Sequence, residues 1–91
     1  MASADFYEEC VGQEFYVEGL EVPYPLTLKE VARTQTSMRE GGGFSLLFES
    51  SSKDVLSQAV YFIAGDNHKA ELFLVPVGES ANGIRYESIF N

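Results

Sequence analysis

The chain has 91 residues, enough for one domain around one core, and its 45% hydrophobic and 13% aromatic content excludes a disordered segment. The formal net charge is −8, from 14 acidic and 6 basic residues. That excess repels phosphate backbones and anionic headgroups, so non-specific nucleic-acid binding and electrostatic docking on a membrane are excluded.

Asp5, Glu8, Glu9, Glu14, Glu18 and Glu21 all precede Lys29, the first basic residue, so much of the excess acid lies at the N-terminal end. Such a segment is either a solubilising face or the dock for a basic partner, with Glu8, Glu9, Glu14 and Glu18 as candidate contacts. Residues 6–12 suit a short helix that Asp5 would cap. The opening MASADFYEEC has neither the basic nor the apolar region of a signal peptide. From Phe15 onward apolar residues alternate with polar ones, the period of a strand. Phe15 and Val17 share a face, then Gly19, Pro23 and Pro25 interrupt. Leu26 and Leu28 resume the alternation, although Leu28, Val31 and Ala32 would also fit a helical stripe. The triple glycine 41–43 predicts a flexible connection. A strand with Phe44, Leu46 and Phe48 on one face follows, and then the polar loop SSSKD at 50–54.

Residues 57–64 are rich in β-branched and aromatic side chains and form a hairpin with AELFLVP across the turn GDNHK. Leu72, Leu74 and Pro76 lie on one side of that second run, and Phe73, Val75 and Val77 on the other. Apolar residues on both sides predict a strand covered on both faces and the most deeply embedded of the sheet, with its outer face met by this chain or by another. Pro76 should stop or bulge the ladder, and Gly78 should begin the turn GESANG. The last strand places Ile84, Tyr86, Ser88 and Phe90 on one face. Six short strands at this spacing predict an all-β fold over residues 1–91, a small antiparallel barrel or closed sandwich with one short N-terminal helix.

The residue types that carry catalysis are sparse. Cys10, the single cysteine, lies among acids, which raise a thiol pKa rather than lower it. It reads as a small apolar residue, and a lone thiol fits a reducing, cytoplasmic setting. His68, the single histidine, sits at a turn and has no metal-ligand spacing with Cys10. No calcium loop is present. The glycines of REGGGF lack the Lys-Ser/Thr and the helix of a phosphate loop. Glu8 and Glu9 are neighbours that point apart, unlike the paired carboxylates of a hydrolase. The expectation is therefore no enzymatic activity, no metal and no cofactor.

The order Val11-Gly-x-x-Phe15, Leu26-Thr-Leu-x-Glu-Val31, Phe44-Ser-Leu-Leu-Phe48, Gln58 with Tyr61, Leu72-Phe-Leu-Val-Pro-Val-Gly78 and Arg85-Tyr-Glu-x-x-Phe-Asn91 spans nearly the whole chain. It resembles a bacterial family of short single-domain β proteins classed as a domain of unknown function. The resemblance implies genes near phage-tail collar or tail-fibre-like genes, and hence an accessory of a tail-like assembly. It implies no catalytic residue. Among its matched polar positions, Arg85 reads as a buried hydrogen-bond anchor or as part of a binding surface, as do Gln58 and Tyr61. The functional expectation is an interaction or assembly module that binds another protein, with a basic surface or a tail-like component as partner. The alternative is a small β-barrel that holds a ligand inside. A monomer or weak dimer is expected.

Overall fold

The computed structural model of the chain describes residues 3–34 and 43–90. Their apolar alternation becomes strands in the order α1 (Ala4–Glu9), β1 (Glu14–Val17), β2 (Tyr24–Thr34), β3 (Gly43–Ser50), β4 (Ala59–Ala64), β5 (Lys69–Ser80) and β6 (Gly83–Phe90). All neighbours pair antiparallel, and the sheet closes into a ring ordered β1-β2-β3-β6-β5-β4. The closing seam is short. It pairs Tyr16 with Ala64 and Val17 with Ile63, and one further bond runs from the Glu18 N–H to the Phe62 carbonyl at 2.9 Å.

The inward faces fill the ring. Leu26, Leu28, Leu46, Phe48, Leu74 and Tyr86 have no exposed surface, and each such side chain contributes about 1.5–3 kcal/mol by leaving water. A small barrel has room for its own side chains and little else, so these residues occupy the space in which the alternative reading would put a ligand. Phe15 packs edge-on to Phe48 with centroids 5.8 Å apart.

Each end of the ring has its own plug. At one end α1 lays Tyr7 against Phe44 and Phe90, which stack on each other at 4.4 Å. Ser3, not Asp5, caps this helix: its Oγ accepts from the Phe6 N–H at 3.3 Å. Asp5 lies two residues past the cap, inside the first turn, and pairs with Arg33 instead. At the other end the β3–β4 connection is tied down by two tyrosines. Tyr24 gives its hydroxyl proton to the Asp54 carbonyl at 2.7 Å. In the 2.7 Å contact between the two hydroxyls Tyr86 is therefore the donor, and its oxygen accepts the Leu56 N–H at 2.8 Å. Both hydroxyls are satisfied, as buried polar groups must be.

Two strands depart from the expectation. In β2 the register with β3 shifts between Leu28 and Glu30. This bulge lengthens the inward spacing from two residues to three, so Leu28 and Val31 both face the core. The apparent helical stripe is a bulged strand. In β5 the ladder shifts between Pro76 and Gly78 and then runs on to Ser80. Pro76 bulges the strand as expected, but Gly78 pairs with Arg85 and does not begin a turn. The outer side of β5 is not met by the described part of this chain: Phe73 is 46% exposed and Val77 48%. The described residues leave that face open, so β5 is embedded on its inner face alone. Gly41 and Gly42 lie outside the described residues, and Gly43 begins β3. Among the described residues no helix is long and apolar enough to cross a membrane.

Candidate functional site

The ring sorts the expected partner-binding residues onto different sides. On α1, Glu8 is taken up within the chain: the Arg33 guanidinium donates to its Oε1 at 2.6 Å and its Oε2 at 3.1 Å, and also to Asp5. These bonds hold the Glu8 carboxyl below the usual carboxylate range and raise the Arg33 pKa. Arg85 is on β6, directly across the ring from β1. There its Nε approaches Glu49 at 3.4 Å, a carboxylate that also accepts from Ser80 at 2.7 Å and lies 3.9 Å from Lys29. The Ser80 bond, then Arg85 and Lys29, keep Glu49 ionised to lower pH than usual. Arg85 is thus engaged with Glu49 on the β2–β3–β6 side, with its side chain 48% exposed rather than buried.

Glu9, Glu14 and Glu18 gather elsewhere. β1 alternates Phe15 and Val17 inward with Glu14, Tyr16 and Glu18 outward. Beside this outer row lies an open groove of about 680 Å³, lined by Glu14, Tyr16, Glu18, Leu20, Ala64 and Asp66 among others. The Tyr16 hydroxyl donates to Glu14 Oε1 at 2.7 Å, which raises its pKa and leaves the ring on the surface. Lys69 reaches Glu18 at 3.4 Å from β5. A second cleft of about 250 Å³ is lined by Phe6, Glu9, Cys10, Phe15, Asp66 and His68 among others. Asp66 borders both. The turn that carries it fits because Gly65 has no side chain: a Cβ there would lie 2.7 Å from the Phe15 ring.

The second cleft brings together Cys10 and His68, which the sequence had kept apart. Its chemistry is nevertheless not that of an activated thiol. Cys10 is buried, and burial and then the Glu9 charge push its pKa up, opposite to the shift that makes a thiolate nucleophile. His68 Nε2 is engaged with the Tyr7 hydroxyl at 2.9 Å, and its ring packs on Phe6 at 4.7 Å. Among the described residues no group of three or more His, Cys, Asp and Glu could hold a metal ion.

The arrangement can accept hydrogen bonds and cations. Glu9, Glu14, Glu18 and Asp66 offer carboxylate oxygens, and Phe6, Tyr16 and Leu20 offer apolar contact beside them. Sequence reasoning found the three glutamates but missed Asp66, because GDNHK reads as a turn and only the closed β1–β4 seam sets it beside β1. No curated protein and no solved structure matches this chain. A family model described as Domain of unknown function (DUF6916) matches residues 2–90, and the chain belongs to that family.

Proposed function

We propose that this domain is a protein-binding module, which holds a basic segment of a partner protein and performs no chemistry of its own. The observation that carries the reading is the meeting of two clefts at Asp66, with Glu9, Glu14 and Glu18 along them, Tyr16 in one and Phe6 in the other. A Lys or Arg side chain suits both features. Its stem covers the Tyr16 and Leu20 surface while its charged head reaches carboxylates. Lys69, already paired with Glu18, shows a cation at the rim of the same groove. The resemblance drawn from the sequence motifs supports a tail-like assembly as the setting in which such a partner is met.

The test compares the native domain with a Glu14→Gln, Glu18→Gln, Asp66→Asn variant for binding of a lysine-rich peptide. Exposed charge pairs contribute roughly 0.2–1 kcal/mol each, so the variant should bind about tenfold more weakly. Binding to the native domain should also weaken with salt. Equal affinity of the two proteins for the peptide would reject the reading.

A further inference from the structure

Among the described residues, backbone hydrogen bonding along β4 is incomplete. In an antiparallel ladder a residue directs both its N–H and its C=O to the same neighbour, and the next residue directs them to the other. The bond from Glu18 N–H to the Phe62 carbonyl shows that Phe62 faces β1. By the two-residue period, Val60 faces the same way. β1 ends at Val17, and the chain turns aside at Gly19, whose φ of 85° is a conformation glycine adopts freely. Among the described residues, the N–H and C=O of Val60 therefore have no strand beside them. The side chains around this edge are apolar and exposed: Val60 at 57% and Phe62 at 60%, with Phe73 directly opposite Val60 on β5.

We infer that the free edge of β4 takes an added strand, an extended segment of a partner protein in which apolar residues alternate with Lys or Arg. The inference rests on the proposed function and says how the basic partner lies. Open backbone groups beside an apolar surface select an extended peptide, which supplies a donor and an acceptor at every second residue. The flanking charges select its sign. Glu18 and Glu71 are the positions across the ladders from Phe62, and Glu18 also lines the groove that holds Glu14 and Asp66.

A second copy of this chain fits less well. It would bring Glu71, and Glu18 with its partner Lys69, towards their own copies, between chains of net charge −8, and the β4 sequence AVYFIA adds no further base. The area argues the same way. Val60, Phe62 and Phe73 expose roughly 300 Å² of apolar surface together, against about 800 Å² per partner in a standard folded interface. A short linear segment covers a patch of this size and adds bonds to the open N–H and C=O of Val60.

The test uses a displayed library of random peptides about ten residues long, the length of a long strand, selected on the native domain. The best binder is then titrated against two variants. Val60→Pro removes the outward N–H and keeps the β4–β5 ladder, in which Val60 does not donate; proline is tolerated on such an edge. The inference expects alternating apolar and basic winners, about tenfold weaker binding to Val60→Pro, and slowed hydrogen exchange at the Val60 amide in the complex. Winners that bind Val60→Pro as well as native but lose affinity for the Gln/Gln/Asn variant overturn strand addition and leave the proposed function standing. Winners insensitive to the Gln/Gln/Asn variant overturn both, as does a library that yields none. Sedimentation showing a dimer of the native domain that Val60→Pro dissolves overturns the choice of occupant.

Discussion

Replacing Tyr86 by Phe removes one oxygen from a hydrogen-bonded chain that runs from the Leu56 N–H through Tyr86 and Tyr24 to the Asp54 carbonyl. The ring stays, so its contacts with the interior and its edge-on packing against Tyr24 at 6.1 Å are kept. Two bonds are lost. Leu56 N–H is left facing a carbon edge, and Tyr24 keeps its own donation to Asp54 but loses a donor. A buried group deprived of its partner costs roughly 1–3 kcal/mol. One such N–H and one weakened acceptor together give about 2 kcal/mol. For a domain of this size that corresponds to a fall in Tm of about 10 °C.

The assay is urea unfolding followed by fluorescence or circular dichroism. The midpoint should drop while m stays constant, because the surface exposed on unfolding is unchanged. The double variant with Tyr24→Phe completes a cycle. The two losses should be less than additive, because both variants break the same hydroxyl contact. A Tyr86→Phe domain within about 0.5 kcal/mol of native would refute the chain of donors, since that is the range of substitutions touching nothing.

Tyr7 makes a prediction in pH. Burial, and then the charge of Cys10, hold its hydroxyl at about 12 against an ordinary 10.0. Between those values the folded state keeps a proton that the unfolded state has lost. The contribution to stability is complete below pH 10 and falls as pH rises through the window, by roughly 2 kcal/mol at its end. Urea midpoints measured from pH 9 to about pH 12 should show a slope of this sign, and Tyr7→Phe should make it shallower without abolishing it, because burial raises the Tyr86 hydroxyl as well. Gly83→Ala should destabilise by at least ~3 kcal/mol, read by urea unfolding: φ is 145°, and a Cβ would lie 1.7 Å from the Ser50 carbonyl oxygen. Cys10 should react with a thiol reagent far more slowly in the folded domain than in urea, because it is buried and its pKa is raised; equal rates in the two conditions would contradict its placement.

The inward half of this fold is legible in the sequence, because an inward residue obeys one rule. Phe15 with Val17, Phe44 with Leu46 and Phe48, and Ile84 with Tyr86 each follow the two-residue period, and each is buried. The period misleads where a bulge interrupts it. Leu28 to Val31 is three residues in a strand, and three also fits one turn of helix. Nothing short of the partner strand β3 decides between them. The N-cap is ambiguous in the sequence for a related reason: Ser3 and Asp5 are both good caps by type, and the choice depends on where the first turn starts.

The outward half is harder to read, because an outward residue answers to whatever lies outside the chain. Val60, Phe62, Phe73 and Val77 carry the same apolar signal as a buried strand, and the natural reading covers them. In the fold they stand open on β4 and β5, while the far side of the ring carries Lys29, Glu49, Arg85 and Ser80 joined to one another. Exposed phenylalanines at an edge with unpaired backbone invite aggregation, and edge strands are ordinarily blunted by Lys, Pro or a bulge. Here β4 has none of these, and the nearest bulge is far along β5 at Pro76. Glu18 and Glu71 flank Phe62 instead. On the proposed reading they would repel copies of this acidic chain and attract basic segments, so that the same two carboxylates guard the edge against its own kind and mark the partner it admits.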